Sequence, residues 1–160
     1  MHKESFKSWM FRRIMNIYPM FMGTGGKITF LSGDYKKATL QLKLNMWTYN
    51  YVGTIFGGSQ FSALDPFHMV LLLRVIGSEY IVLDKAGAIQ FKKPGKGKLT
   101  ATIEYTDQEI EEIKARAQKE GKFELIRTTD WIDESGDVVS SMQKTLYIAT
   151  KEYFKNRKKS

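Results

Sequence analysis

The stretch "NYVGTIFGGSQFSALDPFHMVLLLRVIG", Asn50 to Gly77, decides the fold. It opens with glycines and polar residues and then runs almost unbroken in apolar ones. Phe61, Leu64, Met69, Leu72, Leu73 and Ile76 occupy all sides of a helix, and a helix apolar all round belongs in a core. One acid, Asp65, sits at its heart, directly before Pro66.

What flanks this helix alternates instead. "KITFL" (27–31) and "KATLQLKLN" (37–45) carry apolar residues at every second position: Ile28 with Phe30, then Ala38, Leu40, Leu42 and Leu44. With "SGDYK" (32–36) turning between them, they predict an antiparallel hairpin with one buried face. Four more strand-like runs follow the helix: "EYIVLDKAGAIQFKK" (79–93), "KLTATIEYT" (98–106), "KFELIRTTDWID" (122–133) and "DVVSSMQKTLYIATK" (137–151). Between the second and third, Thr106 and Glu109 form a capping box and Gly121 stands where a C-cap belongs, which predicts a surface helix. The order points to an α+β fold in which one antiparallel sheet wraps around one central helix.

At the N-terminus, "SFKSWMFRRIMNIYPMF" (5–21) lines up Phe6, Met10 and Ile14, with Trp9 and Ile17 beside them, on one helical stripe. Pro19 ends this helix, expected over about residues 5–19. A basic, aromatic, amphipathic helix can lie on a membrane, but covering a core with its apolar face is the commoner use and is the expectation here. The basic run "KNRKKS" (155–160), within a tail of about 151–160, is expected to be frayed and solvated.

Composition excludes several chemistries. With 160 residues, 42% hydrophobic and 26% charged, the chain is expected to form a single globular domain over residues 1–160. Its longest apolar run, Met69–Leu73, is far short of the ~20 residues that span a bilayer. No signal-peptide pattern opens the sequence, so a cytoplasmic protein without integral membrane association is expected. The absence of cysteine removes disulfides and thiol chemistry, and two histidines, His2 and His68, cannot build a histidine-rich metal site. The net charge of +8 favours anionic partners. Nucleic acid is ranked low, because no helix-turn-helix, zinc-finger or RNP-type motif accompanies it. Gly53, Gly57 and Gly58 match neither a dinucleotide fingerprint nor a P-loop.

The motif N-x-x-G-x-x-F-G-G, Asn50 to Gly58, followed by Asp65 seven positions later, resembles the signature of hotdog-fold acyl-CoA thioesterases. More narrowly, "FGGSQFSALDPFHMVLLL" (56–73) with "VLDKAGAIQFKKPGKGKL" (82–99) is similar to a bacterial branch of thioesterase-like proteins of the DUF4442 type, a resemblance covering most of residues 24–150. It implies a hotdog fold, a homodimer or a tetramer of dimers, active sites at the subunit interface, and a thioester of coenzyme A or an acyl carrier as substrate. No metal or organic cofactor is implied beyond the coenzyme A of the substrate itself. By the same resemblance Asp65 matches the general base or nucleophile, Asn50 lines its pocket, and Gly57 and Gly58 match the helix start.

The residues support part of this on their own. Free N–H groups at Gly57, Gly58 and Ser59 would make a positive helix terminus suited to a carbonyl becoming an oxyanion, and the glycines would let substrate come close. Phe56 stands where related thioesterases carry histidine, which removes a donor. Lys92, Lys93, Lys96 and Lys98 crowd a Pro-Gly turn and suit the phosphates of coenzyme A, although a lysine-rich solvated turn is an equally ordinary reading. Asp65 before Pro66 also fits a simple N-cap, which would make the acid scaffolding. His68, three residues on, is within reach of Asp65 on a helix, though a lone half-buried histidine is more often structural. Asp84 and Lys85 read as members of a cross-strand ion pair. Dehydration, also known among hotdog proteins, ranks below hydrolysis, and a non-catalytic acyl-CoA or lipid-binding module is the main alternative.

Overall fold

The structure, a computed structural model, describes residues 3–157. Its elements run α1 (Phe6–Ile17), α2 (Pro19–Met22), β1 (Lys27–Leu31), β2 (Lys37–Lys43), α3 (Gly57–Leu64), α4 (Phe67–Val75), β3 (Tyr80–Phe91), β4 (Lys98–Glu104), α5 (Asp107–Glu120), β5 (Lys122–Ile132), β6 (Val138–Thr150) and α6 (Lys151–Arg157). The six strands form one antiparallel sheet in the order β1-β2-β4-β5-β6-β3. The sheet curls around α3 and α4, the architecture of a hotdog fold.

Alternation sets the inner face of the sheet. Leu40 and Leu42 of β2, Leu99, Ala101 and Ile103 of β4, Phe123 and Trp131 of β5, and Met142, Leu146 and Ile148 of β6 are all buried, and they meet Leu64, Phe67, Leu71 and Leu72 of the central helices in one continuous core. Burial of this kind is the main favourable term in folding, at about 25 cal/mol per Å² of apolar surface. A register shift between Ile28 and Phe30 in β1 makes Leu31, not Phe30, the second fully buried residue of that strand.

The central helix is broken where Asp65 and Pro66 intervene, but both residues keep right-handed helical dihedrals, so α4 continues nearly along α3. Pro66 has no N–H to give, and the ladder resumes with Val70 N–H donating to the Pro66 carbonyl at 2.9 Å. α5 bears out its capping box: Thr106 accepts from the Glu109 amide and Glu109 reaches back to the Thr106 amide, while Gly121 closes the helix at φ +74°.

Two terminal expectations are corrected. α1 does not turn its larger apolar stripe inward: Ser8 is its fully buried residue, and Phe11 and Met15 are the side chains packed on the core. Phe6, Trp9, Met10, Ile14 and Ile17 face outward. The reason lies on β1, whose Ile28 amide and carbonyl pair with the Asn16 side chain at 2.8 and 2.9 Å, while Glu4 accepts from the Leu31 amide at 3.1 Å. Those polar anchors fix which face of α1 meets the sheet. At the other end, Lys151–Arg157 form α6, not a frayed tail, with Tyr153 resting on Gly121 so closely that a Cβ there would lie 2.6 Å from its ring. Lys158–Ser160 fall outside the described residues.

Candidate functional site

The start of α3 is bare. Its N-cap is Phe56, which offers no side-chain acceptor, so no cap hydrogen bond is made to the first-turn amides of Gly57, Gly58 and Ser59. The two glycines are needed for aromatic rings: a Cβ on Gly57 would lie 2.6 Å from the Phe91 ring and one on Gly58 would lie 2.3 Å from the Phe56 ring. Close approach is therefore real, but in this structure the approaching groups are Phe56 and Phe91, both about half exposed.

Asn50 holds a turn. Its Oδ1 accepts from the Val52 and Thr54 amides at 3.1 and 2.9 Å and its Nδ2 donates to Thr54 Oγ1 at 2.8 Å, so its polar atoms are all engaged. Asn50, Gly57, Gln60, Phe91, Lys92 and Lys93 line a common cavity of about 420 Å³. Lys93, expected as a phosphate ligand, already donates to Asp133 and Asp137 at 2.6 Å each. Lys98 pairs with Glu134 at 3.1 Å. Lys92 stays exposed beside the cavity, and Lys96 does not line it.

Gln60 is a residue that sequence reasoning missed. Fully buried, it donates to the Ile55 carbonyl, accepts from Ser140 at 2.6 Å, and through its backbone carbonyl accepts from Trp131 Nε1. These bonds tie the start of α3 to β5 and β6 and leave none of the network unmatched.

Asp65 lies elsewhere, seven residues beyond Gly58, roughly 10 Å along a helix. Asp65 closes α3 as its C-cap residue, its amide donating to the Phe61 carbonyl at 3.0 Å, while the N-cap of α4 is Pro66, so the Asp65 side chain is not the N-cap of α4. Its Oδ1 instead accepts from Lys144 Nζ at 2.5 Å, and the same ammonium lies 3.3 Å from Asp84 Oδ1. The Lys144 side chain is only 4% exposed, against 39% for Asp65 and 28% for Asp84. Burial pushes the Asp84 carboxyl up, opposed by the nearby Lys144. Two carboxylates thus flank one buried ammonium, and Asp65 also edges an apolar groove of about 270 Å³ lined by Met15, Tyr18, Met20, Phe21 and Ser62. The signal for Lys144 was present in β6, where it shares the inward register with Met142 and Leu146.

His68 does not orient Asp65. Fully buried, it meets Tyr105 at 3.3 Å through Nδ1 and Thr129 at 2.8 Å through Nε2. Burial first, then the cations Arg127 and Lys144, push its pKa down to about 4, so it is neutral. Lys85 pairs with Glu124 on β5, across the intervening β6, and Asp84 with Lys144 on β6, so both residues make the cross-strand ion pairs expected of them. A larger open groove, about 740 Å³ between β3, β5, α5 and α6, contains none of the predicted site residues. Among the described residues, no three His, Asp or Glu side chains gather as metal ligands.

A family model, "Domain of unknown function (DUF4442)", matches residues 7–148. The chain belongs to the DUF4442 family. Among solved structures this DUF4442 chain is similar to a Pseudomonas aeruginosa protein of unknown function described as a "probable thioesterase", with TM-score 0.79 and 18% identity over 94% of this chain and 99% of that one. It is similar also to thioesterase superfamily member 2 from Mus musculus, with TM-score 0.64 and 16% identity over 89% and 98% of the two chains. A thioesterase from Haemophilus influenzae gives TM-score 0.64 and 12% identity over 93% and 94%. At such identities the likeness is one of fold alone. No curated protein matches the sequence.

Proposed function

We propose that this protein hydrolyses acyl thioesters, of coenzyme A or of an acyl carrier, with Asp65 as general base or nucleophile. The observation that carries the reading is the Asp65 carboxylate: it does not serve as the N-cap of α4, is held through one oxygen by buried Lys144, and is set at the edge of an apolar groove of a kind that would take an acyl chain. As general base, Asp65 takes a proton from water while the hydroxide oxygen bonds to the thioester carbonyl. Collapse of the tetrahedral intermediate expels the thiolate, which takes the proton back and leaves as thiol.

One chain cannot bring its helix start and its Asp65 to the same carbonyl, since roughly 10 Å of helix separates them. A second copy resolves this. β3 ends the sheet, with residues 83–88 exposed. Phe91, at one end of β3, touches Gly57, and Asp84, near the other, shares Lys144 with Asp65. Antiparallel pairing of two β3 strands centred between Gly87 and Ala88 would set Asp84 opposite Phe91 of the partner subunit, and so the acid of one subunit beside the helix start of the other. The active unit is on this reading a homodimer, and no cofactor beyond the substrate's own coenzyme A takes part.

Asp65→Asn should keep its circular dichroism, melt roughly 2–4 °C lower because buried Lys144 loses a charged partner, and lose at least about a hundredfold in turnover of an acyl-CoA panel. Undiminished turnover would remove Asp65 from the chemistry. A second reading, an acyl-CoA or lipid-binding protein without turnover, is favoured by Phe56 in place of a ring donor and by the Lys144 proton donor already seated on Asp65. It predicts saturable binding of acyl-CoA by the parent, with no thiol released.

A further inference from the structure

The outward face of α1 is unused by the fold and unusually apolar. Phe6, Met10, Ile14 and Ile17 form its centre, with Phe6 74% and Ile17 71% exposed. Helical spacing of 100° per residue puts Lys7 on one flank of this stripe, and Arg13 on the other, beside Trp9, whose ring it overlies at 5.2 Å. The face continues into α2 through Tyr18, Met20 and Met22, all exposed. It then reaches the loop before α3, where Trp47 shares a groove with Pro19, Met22 and Lys27.

The chain segments that form this surface carry cations and no acids. No Asp or Glu occurs from Ser5 to Gly33, nor from Tyr35 to Leu64. Those two spans hold Lys7, Arg12, Arg13, Lys27, Lys36, Lys37 and Lys43, of which Lys36 and Lys37 are paired with Asp107 and Glu104. Glu4, just before the first span, is engaged by Arg12 at 2.6 Å. An apolar helix face with a tryptophan on its shoulder and cations on both flanks matches the cross-section of a helix lying in the plane of an anionic bilayer, apolar side chains in the acyl region and ammonium or guanidinium groups at the phosphates.

We propose that α1, α2 and the Trp47 loop form a docking surface for anionic lipid membranes. The geometry adds a consequence: Tyr18 and Met20 belong both to this surface and to the wall of the groove that Asp65 edges. A docked protein would therefore hold the mouth of that groove at the lipid interface. No helix is long and apolar enough among the described residues to cross a membrane, so the attachment is peripheral.

The test is flotation of the full chain with phosphatidylcholine vesicles, with and without phosphatidylglycerol, at low and high salt. The expected result is binding to the acidic vesicles that weakens with salt, accompanied by a blue shift of tryptophan emission from Trp9 and Trp47, Trp131 being buried already. Met10→Glu/Ile14→Glu and, separately, Lys7→Glu/Arg13→Glu should each weaken binding at least about tenfold while the circular dichroism is unchanged, because all four side chains are exposed. The proposal is overturned if the parent ignores acidic vesicles at low salt, or if both double variants bind as it does. It is overturned equally if Met10→Glu/Ile14→Glu splits a larger assembly in sedimentation while the parent never floats, which would give the face to a second copy of the chain.

Discussion

The two edges of the sheet are treated in opposite ways. β1 is closed: Asn16 pairs with both backbone groups of Ile28, Glu4 takes the Leu31 amide, and α1 lies along the strand. β3 is open: it is 12 residues long, bulged between Asp84 and Ala86, and flanked on one side only, by β6. A bare strand edge is a template for pairing. The chain blocks one edge with a whole helix and two polar side chains and leaves the other bare beside its candidate acids, the edge at which the proposed dimer would form.

The largest expected effect tests whether stability resides in the core between the edges, independent of both. His68 is neutral in the folded protein, with its pKa pushed down to about 4 from an unfolded value of 6.5. The unfolded chain therefore takes up a proton first, so this contribution is full above pH 6.5 and is lost as pH falls toward 4, by roughly 3 kcal/mol. Denaturant unfolding at pH 7 and pH 4.5 should show that loss in the parent and a shallower dependence in His68→Gln.

Beneath the open edge the next effect is Lys144→Met. Removing one partner of a fully buried ion pair costs about 3–5 kcal/mol. Asp65 and Asp84 are partly solvated, so a loss of about 2 kcal/mol is expected here. Without the ammonium, the Asp84 carboxyl, already raised by burial, should rise further. A carboxyl raised in the folded state costs stability as pH climbs, so the deficit should be larger at pH 7 than at pH 4.5. An equal deficit at both would mean that Lys144 matters only for packing.

These residues also mark where the sequence was readable. The strands, the buried helix and the cap of α5 follow from local periodicity and Thr106–Glu109, because neighbouring positions decide them. The Asp65–Lys144 contact joins residues 79 apart, and only the inward register of β6 hints at it. α1 carries apolar residues on both faces, and the choice between them was made by Asn16 and Glu4 meeting β1, a tertiary event that no helical wheel contains. The resemblance in Asn50–Gly58 led to the right fold, yet Asn50 turned out to hold a turn and Lys93 an ion-pair cluster, roles set by neighbours distant in sequence or by loop geometry.

At the open edge itself, Ala86→Lys/Ala88→Lys sharpens the comparison. Both side chains are exposed, and in the two-fold pairing centred between Gly87 and Ala88 they stand opposite Ile89 and Gly87 of the partner subunit, so each lysine would set an unpaired charge against an apolar neighbour. Sedimentation should show the self-association constant weakened roughly tenfold, with turnover falling in step as sites shared between subunits come apart. The same pair of substitutions leaving both assembly and turnover untouched would mean that β3 is not the interface.

The smallest effect belongs to the closed edge. Asn16→Ala leaves the Ile28 amide and carbonyl without their partner, and part-buried backbone groups so stranded cost about 1–2 kcal/mol. Because α1 keeps its Ser5–Ser8 cap and the Glu4–Leu31 bond, the helix should stay docked, so hydrogen exchange should speed up at Ile28 and not at Leu31. If exchange rises equally along all of β1, the helix is held by Asn16 alone. The edge would then be closed by one side chain rather than by the whole of α1, and the asymmetry between the two edges would be narrower than the geometry indicates.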